Sequence, residues 1–174
     1  MSTQLLTQSP QESNHRKQRL PDGNVIEFLA TPDEARAEIC LIRATVPPGA
    51  VVPLHSHSAS DVELFYVLEG SVESFRSKDG TQGWTTVGVG DAVTIPGNTK
   101  HAWRNTSGFP ATVIVVTTAK MYAFFRELTK PFDPDQLASP PTREEIQEIF
   151  KVAAKFGYWM GSPEENAAIG LSLK

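Results

Sequence analysis

A chain of 174 residues, 40% hydrophobic and 21% charged, is long enough for one domain with its own core and too apolar to remain disordered. Sixteen basic against 20 acidic side chains leave a net charge of −4 with no basic block, which argues against nucleic acid and anionic membrane as partners. A single cysteine, Cys40, excludes an intrachain disulfide and any multi-cysteine zinc or iron–sulfur site, and on its apolar strand it reads as packing. Residues 1–20 are polar, without hydrophobic period and without the apolar stretch of a signal peptide. They are expected to form a mobile N-terminal arm on a cytoplasmic protein, with His15 solvated between polar and basic neighbours.

From residue 21 to 119 the pattern is that of one β-barrel domain. Short apolar or alternating runs at 24–29, 38–46, 63–68, 71–76, 84–87, 92–95, 102–105 and 111–117 predict strands. They are separated by turn residues such as Pro47-Pro48-Gly49, Gly90-Asp91 and Pro96-Gly97-Asn98. Many short strands at regular spacing, with no helical period between them, predict an all-β sandwich or barrel. Residues 120–174 read as a helical extension. An aromatic-rich short helix is expected over 120–128, a linker with three prolines over 133–141, and the strongest helix over 142–155. Thr142 and Glu145 have the spacing of a capping box, and Ser162-Pro163-Glu164-Glu165 repeats the start signal. The extension must bury its apolar face on a barrel mouth or on the outside of the sheet.

Three of the four histidines, His55, His57 and His101, fall within the β region. On an extended chain His55 and His57, two positions apart, point to the same face. Glu63 opens the next apolar strand, and His101 can supply a fourth donor from elsewhere in the chain. Imidazole with carboxylate is the donor set of Fe, Mn, Ni, Cu and Zn sites. Phe65 and Val67 share the strand parity of Glu63, and Trp103 that of His101, so these three are candidates for a substrate pocket above the site. Their alternative is ordinary barrel core.

Two segments resemble the motifs of the cupin superfamily. Gly49, His55, His57, Glu63 and Gly70 follow the first motif, and Gly90, Pro96, His101 and Asn105 the second. The resemblance implies a double-stranded β-helix, or jelly roll. It also implies one divalent transition metal ion held by His55, His57, Glu63 and His101, with Glu63 also the catalytic proton-transfer residue. Two departures stand out: the gap from His57 to Glu63 is five residues, and Asn98 occupies the glycine position of the Pro-x-Gly turn. Asp61 would restore the shorter gap, but only Glu63 keeps its distance to Gly70. Asn98 is expected to tolerate the positive φ required there.

The extension is similar to that of bacterial single-domain cupins of the quercetin-dioxygenase-like group. This implies a dioxygenase, an oxidoreductase acting on a small aromatic or enolisable substrate, as a homodimer. A metal-dependent isomerase or lyase and a non-enzymatic binding cupin are the alternatives.

Overall fold

The computed structural model describes residues 17–78, 81–133 and 142–172; His15, residues 1–16 of the expected arm and 134–141 of the expected linker lie outside them. Two antiparallel sheets face each other. The larger contains β1 (Lys17–Arg19), β2 (Val25–Ala30), β3 (Ile39–Val46), β5 (Glu63–Glu69), β8 (Ala92–Ile95), β10 (Ala111–Thr118) and β11 (Lys130–Pro131), in the order β11-β1-β2-β3-β10-β5-β8. The smaller contains β4 (Val51–Ser56), β6 (Ser71–Lys78), β7 (Thr81–Gly88), β9 (Lys100–Arg104) and β12 (Trp159–Met160), in the order β12-β4-β9-β6-β7. This is the expected all-β double-stranded β-helix. No helix among the described residues is long and apolar enough to cross a membrane.

Alternation places the core. Along β5, Glu63 and Val67 are buried, whereas Leu64, Tyr66 and Leu68 face outward, each about 40% exposed. Along β10 the burial alternates without interruption, with Ala111, Val113, Val115 and Thr117 inward. The inner residues of both sheets form one cluster that includes Phe28, Ile42, Val67, Ile95 and Trp103. Cys40 belongs to it, fully buried; burial first, and then the charge of Glu34, push its thiol up to about 12, so it is inert packing.

Alternation alone misses β4. Its pairing with β9 runs Val51↔Arg104, Val52↔Trp103 and then His55↔His101, so three steps on β4 oppose two on β9. The extra residue makes a bulge at Pro53-Leu54, where proline's missing N–H costs no ladder bond. Val52 faces the barrel interior and Leu54 packs on the outside with Phe75 and Ala102. Without the extra residue His55 would face outward with Leu54's neighbours; the bulge returns it to the interior.

One helical turn interrupts the expected all-strand region: α1 (Pro32–Ala35), started by a Thr31–Glu34 capping box, bridges β2 and β3. It is too short to show a hydrophobic period. The remaining helices are α2 (Ala119–Leu128), α3 (Arg143–Lys155) and α4 (Pro163–Ala168). Both predicted capping boxes form: Glu145 N–H donates to the Thr142 hydroxyl and Glu165 N–H to that of Ser162, each at 3.2 Å.

The extension packs on two places at once. Met121, Phe124, Phe125 and Leu128 of α2 close one mouth of the barrel, while Trp159, Ile169 and Leu171 cover the outer side of the smaller sheet. Beneath α2, Met121, Ala153 and Tyr158 form a separate small core.

Candidate metal centre

His55 ends the bulged strand β4, and His57 follows it in the loop that leads to β5. That loop is held by the turn 96–98, in which Asn98 donates its N–H to the His57 carbonyl at 2.9 Å. Asn98 adopts φ +60°, the conformation expected where the cupin motif has glycine. Gly97 answers a different need: a Cβ there would overlap the Ser58 and Ala59 carbonyls, so its absence lets the loop lie flat against the turn. Glu63 opens β5 on the opposite sheet, and His101 projects inward from β9 beside His55.

The four side chains converge. One ligand atom from each of His55, His57, Glu63 and His101 lies within 4.8 Å of all the others. The three imidazole rings sit 4.2 to 4.9 Å apart, centroid to centroid. Asp61 does not join them. It is buried to one side, where it accepts hydrogen bonds from Ser58 and Thr118 and pairs with Lys120 at 3.3 Å. Burial alone would raise its pKa, but those hydrogen bonds, with the Lys120 charge, carry it below the usual carboxylate range. Its role is to tie the 57–63 loop to the start of α2.

The hydrogen bonds behind the imidazoles decide which nitrogen faces the centre. The nitrogen Nδ1 of His55 lies 2.7 Å from the Pro53 carbonyl, and Nδ1 of His101 lies 2.9 Å from that of Thr99. A carbonyl only accepts, so both Nδ1 atoms carry the proton and both Nε2 atoms present a lone pair. Burial, reinforced for His55 by the charge of His101, lowers the pKa of His55 to about 3; burial lowers that of His101 to about 4 and depresses that of His57 as well. All three rings are neutral at neutral pH and able to donate to a cation. Burial raises the Glu63 carboxyl to about 7, against the opposing influence of His55.

The donor set therefore fits a divalent ion. The Nε2 lone pair of His101 and the Oε2 of Glu63 face one another at 3.3 Å, and His57 Nδ1 lies 3.7 Å from the same oxygen. Two acceptors pointed at each other at that distance need a positive charge between them, either a proton or a metal ion. Four converging donors in a nearly dry pocket favour the metal.

A cavity of about 150 Å³ opens over the cluster, with His55, His57 and Glu63 in its wall and His101 behind. Phe65 and Trp103 line it, their rings 4.3 Å apart. Val67, the third expected pocket residue, is not among its lining residues. It is one step further along β5, 1% exposed in the barrel core, where its backbone pairs with the Gly90-Asp91 turn. Strand parity correctly sends it inward but says nothing about depth along the barrel axis.

Other wall residues come from segments whose placement the sequence does not show. Met121, Phe124 and Phe125 come from α2; the aromatic run was visible, but its placement was not. Asp22 and Asn24 come from the turn before β2, whose polar residues carry no sign of facing a cavity. Burial raises the Asp22 carboxyl to about 6, while the Asn24 backbone N–H and amide, donating at 3.0 and 2.9 Å, pull the other way. Its folded pKa thus exceeds the ordinary 3.8, so the favourable contribution of protonated Asp22 is complete below about pH 4 and lost as pH rises through 6. The Asp22→Asn variant is expected to gain thermal stability over the parent protein across that interval. The gain should level off near neutral pH at about 1–2 kcal/mol, allowing for solvent screening at the mouth. Melting curves of both proteins from pH 4 to pH 8 check it; a constant difference would rule out a perturbed Asp22.

Residues 42–117 match the family model Cupin_2, described as a cupin domain. Among solved structures, the chain is similar to the Cupin_2 domain of an XRE family transcriptional regulator from Enterobacter cloacae, at 25% identity over 55% of this chain and 95% of that one, with a TM-score of 0.45. It is also similar to an oxalate decarboxylase of Bacillus subtilis, at 21% identity over 55% of this chain and 26% of that one, TM-score 0.47. A sugar phosphate isomerase of the cupin superfamily from Silicibacter pomeroyi matches at 21% identity over 66% of this chain and 67% of that one, TM-score 0.46. None of the curated proteins compared with the chain matches it. The two motifs, the double-stranded β-helix they fold into and the family match together identify residues 42–117 as a cupin domain.

Proposed function

We propose that this protein is a metal-dependent oxidoreductase, a dioxygenase acting on a small aromatic or enolisable substrate. The observation that carries the metal-dependent part is the convergence of four donor atoms, two of them imidazole nitrogens whose opposite ring N–H is already committed to a backbone carbonyl. Support for the substrate class comes from the cavity, whose wall is apolar and aromatic except beside the cluster, at its Asp22-Asn24 end and at Arg104. A bound divalent iron, manganese, nickel, copper or zinc ion would supply a Lewis acid with positions open to an enolate or phenolate and to dioxygen.

The chain's own residues prepare the substrate. Phe65 and Trp103, their rings packed against each other, offer an apolar face to a flat molecule, and α2 covers one mouth. Glu63, in the cavity wall, accepts the proton of an enol or phenol on its carboxylate. The same property supports a second reading, an isomerase or lyase in which Glu63 moves a proton between two substrate carbons without oxygen.

Oxygen uptake separates the two. With metal-loaded protein and a panel of single-ring catechols and 1,3-diketones, the dioxygenase reading expects oxygen and substrate to disappear one for one. Glu63→Gln should lower kcat by about 10²–10⁴-fold, the usual contribution of a general base. Exchange of substrate hydrogen with deuterated solvent, without oxygen uptake, selects the isomerase or lyase. Neither activity on any probe leaves the small-molecule-binding cupin.

A further inference from the structure

Two of the three imidazoles are held from behind by a backbone carbonyl, and both stand on paired strands, His55 opposite His101 on one side and Met160 on the other. His57 has neither support. It follows the end of β4, and among the described residues its ring makes no hydrogen bond. Its Nδ1 comes only within 3.7 Å of Glu63 Oε2, too far for one. The Asn98 N–H fixes the His57 carbonyl but not the ring. A metal-ligating imidazole ordinarily takes its orientation from a partner on its other nitrogen, so something else must set this one.

The extension supplies it. In β12, Met160 pairs with His55 and Trp159 with Ser56, and continuing that antiparallel register one step sets Tyr158 across from His57. The two rings meet at 5.0 Å and 65°, an edge-to-face contact that fixes a plane as well as a position. Tyr158 is itself held in place. It is 6% exposed, packed on Phe124 of α2 at 5.1 Å and on Phe156 at the end of α3 at 6.1 Å, with Lys120 Nζ 5.0 Å from its ring centre. Burial first, and then the Asp61 charge, push the pKa of its hydroxyl up, so the ring stays a neutral phenol.

We propose that Tyr158 is the positioning residue of His57. Its ring does for this imidazole what the Pro53 and Thr99 carbonyls do for the other two, so docking of the extension decides whether the centre has three imidazole donors or two. This rests on the metal-binding part of the function proposed above. Two histidines and a carboxylate leave more positions open on an ion than three histidines and a carboxylate do. The extension thereby governs both the affinity of the centre and the room left on it for substrate.

The test loads the full chain with Cu(II) and counts the coupled imidazoles by pulsed electron paramagnetic resonance. The parent and Tyr158→Phe, which keeps the ring, are expected to show three. Tyr158→Leu, which keeps bulk without the ring, should show two and bind the ion about 10–100-fold more weakly. Tyr158→Met repeats the loss of the ring with an unbranched side chain, should Leu not pack. Val152→Ala removes buried bulk from α3 outside the cavity wall and controls for lost stability, read by urea denaturation. It should keep three imidazoles and the parent's affinity. Three imidazoles at parental affinity in the ring-less variants overturn the proposal, as does an equal loss in Val152→Ala. A metal-free arm reads the χ1 couplings of His57 in chelator-treated protein. One rotamer in the parent and averaging in Tyr158→Leu are expected, and a single rotamer in both overturns the proposal. A parent that takes up no Cu(II) sinks the metalloenzyme alone, and the metal-free couplings then decide for Tyr158.

Discussion

Protein purified without an affinity tag should contain about one equivalent of a divalent transition metal, and the His101→Ala variant should contain none. His101 has no exposed surface and sits behind the cavity, so its Nε2 has no use for substrate or solvent; its chemistry is spent on the cluster. Removing partners that merely orient a metal-bound imidazole costs about 10–100-fold in affinity, and removing the imidazole itself should cost more. The expected loss therefore exceeds about a hundredfold. Mass spectrometry of the purified protein reads the stoichiometry, and competition with a chromogenic chelator reads the affinity. The variant's fold must be checked by circular dichroism, because the same substitution leaves a hole in the barrel. A parent protein that neither carries nor takes up Fe(II), Mn(II), Ni(II), Cu(II) or Zn(II) would exclude the metalloenzyme. His101→Thr, which fills more of the hole, separates lost ligation from lost packing.

The second large effect concerns the extension. Truncation after Thr118 is expected to yield insoluble protein, and the single replacement Asn166→Ala to weaken both fold and metal affinity. The bulge in β4 turns His55 inward at the expense of ordinary pairing, and the extension accepts the displaced backbone groups. Leu54 N–H donates to Asn166 Oδ1 at 2.8 Å, and the Leu54 carbonyl accepts from Gly161 N–H at 2.7 Å. Asn166, fully buried, returns its amide hydrogens to the Gly161 and Ser162 carbonyls. Met160 pairs with His55 itself and Trp159 with Ser56, while Tyr158 lays its ring edge-on against His57 at 5.0 Å.

Losing the extension also uncovers Leu54 and Phe75. At roughly 1.5–3 kcal/mol for each large apolar side chain, that is about 3–6 kcal/mol before any orphaned hydrogen bond is counted. Set against a typical total of about 5–15 kcal/mol, that is a large share of what holds the barrel together. Asn166→Ala is milder. It strands one buried N–H and two carbonyls, so about 2–4 kcal/mol of stability should go, together with some precision at His55. Urea denaturation measures the first and metal affinity the second. A soluble, folded truncation with unchanged metal affinity would show that the extension is only a cover.

What could be seen in the sequence was what local spacing encodes. Period-two alternation marked the strands and the inward side of β5 and β9, so Glu63, Phe65, Trp103 and His101 pointed where expected. Residue type and spacing also marked the donor set, and the resemblance to the cupin motifs favoured Glu63 over Asp61 and implied the positive φ of Asn98. The capping boxes of α3 and α4 were legible because a cap is made within four residues. Each of these features is settled by neighbours along the chain, where geometry follows from backbone period and side-chain chemistry.

The tertiary structure decided the rest. Strand β12 has two residues and β11 two, too few to show any period, and both exist only because a sheet edge stands ready to pair with them. The bulge at Pro53-Leu54 reverses the parity of β4, which no alternation count reveals, since the freed N–H of Leu54 is satisfied by a side chain 112 positions away. Val67 and Phe65 are identical in parity yet only Phe65 reaches the cavity, because depth in a barrel depends on the packing of the opposite wall. A side chain's direction is local chemistry, whereas what it meets there depends on how distant segments share a limited interior volume.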